Sequence, residues 1–235
     1  MKQIIAQGLE TLGLTSRVPE QAPELLASYG HALLEKNKVM NLTAIREEDK
    51  VAQLHMLDCA ALLNYMDFEG KTLIDVGTGA GFPGMPLRIV EPTIQLTLLD
   101  SLNKRIDFLK EVCTKLKLEQ VNCVHGRAEE FAAQHREQFD FVTSRAVASL
   151  PMLCELCLPL VRVGGSFLSM KAVDSDAELA SAEHAIKTLG GTVEKTLDYA
   201  IPGTDIHHRL IIIKKLRETA KKYPRPFAKI KKNPL

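Results

Sequence analysis

The chain has 235 residues, 46% of them hydrophobic, which is enough for one large domain or for one domain with an extension. No apolar run approaches the ~20 residues that a membrane-spanning helix needs, and the N-terminus lacks the apolar stretch of a secretory signal. Five cysteines, an odd number, are scattered along the chain and predict reduced thiols. We therefore expect a cytoplasmic protein with no membrane partner.

The charge is unevenly distributed, although the net charge is only +1. From residue 214 to the end, the chain carries nine lysines or arginines and one acid, so the preceding part is acidic. A basic tail behind an acidic body favours a polyanionic partner that meets the tail. An ordinary solvated C-terminus is the alternative.

Residues 1–68 are predicted to form a helical extension. Apolar residues recur at a spacing of three to four, first at Leu25, Leu26, Tyr29, Leu33 and Leu34, and again over 51–63. A polar connector separates the two periodic segments. This pattern is typical of amphipathic helices that bury one face.

From residue 69 to 216 the pattern changes to short β-prone runs that alternate with helical stretches. This alternation predicts an α/β domain with a mostly parallel, doubly wound, seven-stranded sheet. The last two strands have no room for a helix between them and are expected to be antiparallel. Residues 217–235 form the basic tail. The predicted strands are 72–76, 94–100, 121–125, 139–144, 165–171, 191–200 and 208–215, with helices near 84–90, 103–117, 150–161 and 176–190.

A glycine-rich loop follows the first predicted strand. Gly77, Gly79 and Gly81 allow tight turns and leave no Cβ between the backbone and a ligand. In α/β folds, ligands bind beyond the carboxyl ends of the strands. We therefore interpret the loop as a ligand site, the alternative being a tight turn. The sequence GAGFPG (79–84) also matches G-x-G-x-x-G, which alone is weak evidence for NAD.

Two features of this loop favour S-adenosyl-L-methionine (SAM) over a dinucleotide. Asp75 ends the strand, where a carboxylate repels a pyrophosphate but suits an ammonium group. Pro83 removes an N–H that a phosphate cradle would use. Asp100, at the end of the next strand, is predicted to accept both ribose hydroxyls, or else to cap the following helix. After the third strand, GRAEE (126–130) places an acid where an adenine amino group is commonly bound, although acids are also ordinary at a helix start.

Seven stretches of the chain together resemble one family, the RsmG (GidB) methyltransferases, which modify N7 of one guanosine in bacterial 16S rRNA. The combination of SRA after the fourth strand, D-S-x-x-K-R and the YPR tail is specific, whereas the glycine loop is shared by class I methyltransferases in general. The stretches are MNLTAI (40–45), HMLDCAALL (55–63), DVGTGAGFPG (75–84), LLDSLNKRIDFL (98–109), GRAEEF (126–131), SRAVASL (144–150) and KKYPRPFAKIKKNPL (221–235).

The resemblance implies a class I SAM-dependent methyltransferase, Rossmann-like, with an N-terminal helical extension. It implies cofactor contacts at Gly77, Phe82, Ala128, Glu129 and Arg145. Its implied substrate is 16S rRNA, within the small ribosomal subunit, at position 527 in the decoding-region loop. We expect a monomer. The chain departs from the family pattern at Met170-Lys171-Ala172, where a glycine usually follows the lysine, and at PFAKI in the tail.

The residues after the fourth strand exclude two methyltransferase chemistries. Exocyclic-amine enzymes carry an Asn- or Asp-Pro-Pro-aromatic motif there, but this chain reads TSRAVASLP. Pyrimidine C5 enzymes need a cysteine nucleophile, and the nearest cysteine, Cys154, lies inside a predicted helix. Guanine N7 carries an in-plane lone pair and no proton. Direct in-line transfer, without a general base or any other catalytic residue, is therefore expected to rest on alignment.

Several charged residues are candidates for positioning the substrate. Arg145 could clamp the cofactor carboxylate or an RNA phosphate, or form an ion pair at its strand end. Lys171 is a weaker candidate of the same kind. The predicted RNA-binding residues are Arg145, Lys171, Lys221, Lys222, Arg225, Lys229, Lys231 and Lys232.

Other polar residues are given structural roles or none. His55 and Asp58, three apart on a helix, are expected to form a structural hydrogen bond rather than to face the active site. Cys154 and Cys157 are assigned to the core because no second pair exists for zinc, and no metal site is predicted. His207 and His208 are given no role.

Three rival functions remain open from the sequence. One is a SAM-dependent enzyme that acts on another nucleic acid or on a small molecule. The second is an NAD-dependent oxidoreductase, and the third is an RNA-binding assembly factor that keeps a vestigial SAM fold.

Overall fold

A seven-stranded sheet organises the protein in the computed structural model, which describes residues 1–145 and 147–235. The strand order is β3-β2-β1-β4-β5-β7-β6. The first five strands are mutually parallel, and β7 is antiparallel to both of its neighbours. The strands are β1 Thr72–Val76, β2 Gln95–Asp100, β3 Val121–His125, β4 Phe139–Arg145, β5 Val161–Ala172, β6 Gly191–Ala200 and β7 His207–Lys215. The predicted mostly parallel sheet is confirmed, including its antiparallel last pair.

Helices cover both faces of the sheet. They are α1 Lys2–Thr11, α2 Ala22–Asn37, α3 Glu48–Val51, α4 Asp58–Ala60, α5 Gly84–Val90, α6 Asn103–Leu116, α7 Ala128–Gln134, α8 Leu150–Cys157, α9 Asp176–Thr188 and α10 Phe227–Lys232. A π-helical turn, Ala52–Leu57, joins α3 to α4, and a 3₁₀ turn, Ala61–Asn64, follows. Helix α8 ends earlier than the predicted residue 161, because Pro159 cannot continue a helix.

The N-terminal helices share a core with one face of the sheet. Tyr29, Leu33 and Met56 are fully buried and belong to the same hydrophobic cluster as Leu98 and Phe108. The extension is therefore packed onto the sheet beside α5 and α6. This packing brings the segment 48–64 close to the ends of the central strands.

The C-terminal segment is packed against the other face and is not a free solvated terminus. Ile230 of α10 is fully buried in the cluster that holds α8 and α9. The guanidinium of Arg225 donates to both carboxylate oxygens of the buried Glu155, at 2.8 and 2.6 Å. An unpaired charge at Glu155 would be costly, so this pair fixes the segment to α8.

Candidate active site

The glycine loop lies at the carboxyl edge of the sheet, between β1 and α5. The backbone N–H groups of Gly77 and Thr78 donate to the carbonyl of Leu99 at 2.8 and 3.1 Å. These bonds hold the start of the loop against the end of the neighbouring strand β2. The loop thus occupies the position where α/β folds bind ligands.

Asp75 shapes this loop from behind. Its side chain is fully buried, and Oδ2 accepts hydrogen bonds from Thr78 Oγ1 at 2.7 Å and from the Gly84 N–H at 2.9 Å. Burial raises the pKa of this carboxyl to about 6. Oδ2 of this carboxylate caps the start of α5, and a contact of Asp75 with a ligand's ammonium group stays a prediction.

The three loop glycines serve different purposes. Gly79 has φ +61°, and a Cβ there would project into open space beside the loop. At Gly77 a Cβ would meet the side chain of Val147. At Gly81 a Cβ would clash with Tyr29 and Leu109, and a contact of this residue with the cofactor stays a prediction. Its glycine is required by packing against the helical extension.

Two adjoining cavities flank the loop. The first, of ≈ 460 Å³, contains the predicted residues Gly77, Gly79, Phe82, Asp100 and Arg145. The second, of ≈ 230 Å³, contains Ala128 and Glu129. Both are bordered by Gly77, Asp100, Ser101 and Val147, so they form one continuous groove. Their combined size lies within the range of about 300–1,000 Å³ that is common for ligand sites.

Asp100 lies where the two cavities meet. Its Oδ2 accepts a hydrogen bond from the Gly79 N–H at 2.9 Å and from Arg105 at 3.2 Å. Its Oδ1 accepts the Leu102 N–H at 2.9 Å, next to the start of α6. Asp100 therefore caps the start of α6, as the alternative prediction stated, and it also lies at the edge of the cavity. A role in holding ribose hydroxyls stays a prediction.

Arg145 reaches the first cavity from the end of β4, but its guanidinium is already engaged. Nη1 donates to Asp58 Oδ2 at 2.9 Å and to the Leu54 carbonyl at 3.1 Å, while Nη2 donates to His55 Nδ1 at 2.9 Å. The structure thus contains the ion pair that was predicted as the alternative to a ligand clamp at Arg145. A guanidinium has five donors, so two remain for a ligand.

His55 is held neutral beside Arg145. Burial and the neighbouring guanidinium lower its pKa to about 3. Since Arg145 can only donate, Nδ1 is the acceptor, and the proton on Nε2 is donated to Thr43 Oγ1 at 2.8 Å. The ring also stacks on Phe82, with centroids 4.3 Å apart. His55 belongs to the π-helical turn, a distortion that is frequent at functional sites.

Three polar residues of this site escaped prediction: Thr43, Tyr199 and His208. Asp58 is fully buried, and its Oδ1 accepts hydrogen bonds from Tyr199 at 2.8 Å and from His208 at 2.9 Å. Thr43 joins the same network through its hydrogen bond with His55. Their contacts join segments 12 to 150 residues apart along the chain, so local spacing carried no signal for them. The expected structural role of His55 and Asp58 fits these bonds, but His55 also borders the cavity.

Two predicted RNA-binding residues have structural partners instead. Lys171 Nζ donates to Glu178 Oε1 at 2.8 Å and to the Ala148 carbonyl at 3.1 Å. Arg225 is paired with the buried Glu155. Both charges are compensated within the fold, so neither predicted RNA contact is supported. The tail lysines that remain exposed are Lys221, Lys222, Lys229, Lys231 and Lys232.

The described residues offer no metal centre. No group of three or more His, Cys, Asp or Glu side chains among them is arranged to hold an ion. Cys154 and Cys157 are buried free thiols, in agreement with their assignment to the core. No helix in the described parts of the chain has the length and apolarity required to cross a membrane.

The depressed pKa of His55 predicts a pH-dependent stability. The unfolded chain takes up this proton near pH 6.5 and the folded chain near pH 3, so stability is lost as the pH falls below about 6.5. Through His55, the free energy of unfolding changes by at most about 1.4 kcal/mol per pH unit. Urea unfolding of the wild type and of His55→Asn should be measured from pH 7 to 5. The free energy of unfolding should decline less in the variant than in the wild type. Equal declines would contradict the assignment.

The comparison of sequences identifies one family. The family described as GidB, rRNA small subunit methyltransferase G, matches residues 22–204. Two similar relatives are both named ribosomal RNA small subunit methyltransferase G. The one from Clostridium botulinum (strain Kyoto / Type A2) is 48% identical over 213 residues, which cover 89% of either chain. The one from Alkaliphilus oremlandii (strain OhILAs) is 48% identical over 239 residues, covering 100% of this chain and 99% of the relative.

Solved structures agree on the fold. TrmN from Thermus thermophilus has a TM-score of 0.55 at 19% identity and covers 68% of this chain and 48% of that chain. A SAM-dependent methyltransferase from Aquifex aeolicus has a TM-score of 0.54 at 16% identity, with 77% and 97% covered. At sequence identities this low, the structural similarity is evidence for the fold alone. It confirms the predicted class I architecture.

The family match also confirms two predictions made from the motifs, namely a methyltransferase and SAM as its cofactor. The match spans most of the sequence, and relatives at nearly half identity cover it from end to end. The chain therefore belongs to the GidB family, rRNA small subunit methyltransferase G.

Proposed function

We propose that the protein methylates guanine N7 at one site in 16S rRNA, by direct transfer from SAM without a general base. The observation that carries this proposal is the groove itself, in which a glycine cradle meets a network where His55, Asp58 and Asp100 are all engaged in hydrogen bonds. Family membership supports the rRNA substrate. The target atom and the mechanism are inferred from the residues.

The groove fits SAM better than a dinucleotide. The start of α5, where a phosphate would otherwise bind, is already occupied by the carboxylate of Asp75. The open space beside Gly79 is free of side chains, and Asp100 borders it. Gly77, Gly79 and Asp100 would hold the nucleoside, with Ala128 and Glu129 at its adenine end. This arrangement disfavours the NAD-dependent alternative.

The candidate bases around the first cavity are all engaged. Both ring nitrogens of His55 are hydrogen-bonded, and Asp58 is buried beneath three donors. Asp100 accepts three hydrogen bonds. SAM supplies an electrophilic methyl group when bound. The N7 atom of guanine needs no deprotonation, so the residues here need only align the base and exclude water.

Positioning of the guanine is assigned to the wall formed by His55, Phe82 and Arg145. The stacked rings of His55 and Phe82 make this wall rigid. Arg145, with its Cζ 5.0 Å from the Phe82 ring centroid, is fixed by Asp58 and retains donors for a phosphate or a carboxylate. Preorganised groups of this kind favour an orientation mechanism.

Contact with the RNA backbone is assigned to the exposed lysines of the C-terminal segment. Three of them, Lys229, Lys231 and Lys232, stand on α10, and Phe227 of this helix borders the second cavity. Binding within the small ribosomal subunit, a cytoplasmic location and a monomeric state belong to the same proposal. A SAM-dependent enzyme with a small-molecule substrate would not need these lysines.

The decisive experiment maps the methylated atom. The protein is incubated with SAM labelled in its methyl group and with unmethylated small-subunit rRNA, both free and in assembled subunits, and the labelled nucleotide is then identified. Label on N7 of one guanosine supports the proposal. Label on an exocyclic amine or on a ribose contradicts the target atom, and binding without single-turnover transfer supports the vestigial alternative.

Gly79 should be essential for cofactor binding. A valine there places a branched side chain in the open space of the cradle. The affinity for SAM should therefore fall by at least about tenfold. Gly70→Val is the matched control, because Gly70 has φ +65° and equally open space but lies before β1. Calorimetry should show SAM binding lost in the first variant and kept in the second. Equal affinities would contradict the site.

The rate of methyl transfer should be nearly independent of pH between about 7 and 9. A base-dependent step would accelerate with pH up to the catalytic pKa. His55, with a pKa of about 3, and Asp75, with a pKa of about 6, are both deprotonated throughout this range. Single-turnover rates on saturating rRNA test this expectation. A tenfold rise per pH unit would reject a mechanism without a base.

The lysines of α10 should set part of the salt dependence of RNA binding. Replacing Lys229, Lys231 and Lys232 with alanine should reduce the slope of log affinity against log salt by about 2 to 3, one phosphate contact per lysine. The control variant replaces three other exposed lysines: Lys115, Lys117 and Lys187. These lie at or just beyond the ends of α6 and α9. An unchanged slope in the α10 variant would exclude the segment from the interface.

A further inference from the structure

The C-terminal helix forms part of the wall of the second cavity. Phe227, the first residue of α10, borders this cavity together with Gly126, Arg127, Ala128 and Glu129. The predicted adenine contacts, Ala128 and Glu129, belong to the same wall. An aromatic side chain from the last nine residues thus reaches a site that is built otherwise from the central strands and the segments that follow them.

Phe227 is held in place from two sides. The guanidinium of Arg127 lies over its ring, 4.3 Å from the centroid, and Arg127 Nε is 3.3 Å from Glu129 Oε1. The ring also packs against the hydrophobic cluster that contains the fully buried Ile230. A connected row therefore runs from Phe227 through Arg127 to Glu129. In it the Phe227 ring supports the residues predicted to contact the adenine.

We propose that Phe227 is a cofactor-binding residue at the adenine end of the groove, and that α10 through it couples RNA binding to cofactor binding. This inference rests on the proposed function for the identity of the ligand. The ring offers an apolar, aromatic surface, which suits a purine. The same helix exposes Lys229, Lys231 and Lys232, so one short element carries both a cavity wall and a cationic surface.

The coupling has a direct physical basis. An RNA backbone that binds the three lysines holds α10 against the body of the protein. This contact favours the packed position of α10, in which Phe227 borders the cavity, so bound RNA should raise the affinity for the cofactor. By linkage, the cofactor should raise the affinity for RNA by the same factor.

The first test compares ligand affinities by calorimetry. Phe227→Ala should weaken S-adenosylhomocysteine by about tenfold, the order expected for one aromatic contact with a base. It should weaken methylthioadenosine, which lacks the amino-acid part, by the same factor. Phe227→Tyr should restore the affinity. Tyr223→Ala is the matched control, because Tyr223 is a buried aromatic of the same segment that does not border the cavity.

The outcomes separate this inference from the proposed function. Wild-type affinity in a folded Phe227→Ala variant, or an equal loss in Tyr223→Ala, would overturn the contact. Failure of the wild type to bind either ligand would instead reject the cofactor assignment itself.

The second test measures the coupling. Saturating small-subunit rRNA should raise the S-adenosylhomocysteine affinity of the wild type by about fivefold, the low end of usual allosteric coupling. The rise should be absent in Phe227→Ala and in the variant that lacks the three α10 lysines. In free protein, the lysine variant should keep its affinity for the ligand. A rise that persists in Phe227→Ala would overturn the coupling.

Discussion

Neutralising one buried carboxylate, that of Asp58, determines how the active site is assembled. An unpaired charge in a protein interior is costly, so Asp58 requires donors from whatever surrounds it. Those donors come from β4, β6 and β7, through Arg145, Tyr199 and His208. The helical extension is thereby tied to three strands of the sheet at the edge of the ligand groove. In the same network, Arg145 is oriented and His55 is kept neutral.

A second carboxylate shapes the ligand preference of the groove. Asp75 occupies the start of α5, which in nucleotide-binding folds of similar topology receives a phosphate. The protein therefore supplies its own anion at the point where a pyrophosphate would have to bind. Fold and glycine spacing alone do not distinguish dinucleotides from SAM, and the proposed preference for SAM rests on this one side chain together with the family match. Burial raises the pKa of Asp75, whereas the hydrogen bonds from Thr78 and from the capped Gly84 N–H lower it.

The sequence predicted the sheet well because β-prone runs alternate with helical stretches along this part of the chain. β1, β3 and β6 have the predicted bounds, and the loop residues Gly79 and Phe82 border the groove as expected. The partners of charged residues were harder to predict. Lys171 and Arg225 resembled RNA-binding cations, since nothing local indicates Glu178 or the buried Glu155. The packing role of Gly81 was hard to predict for the same reason, because its close neighbour, Tyr29, belongs to the extension.

The pairing of Arg225 with Glu155 has a consequence for how the protein is made. Glu155 is synthesised well before Arg225, so the nascent chain carries a carboxylate whose partner is still missing while its α/β body emerges from the ribosome. The native arrangement around α8 is completed when the last residues have left the tunnel. A premature stop at or before codon 225 would therefore remove the partner of the buried Glu155, and quality-control proteases would remove the product more readily.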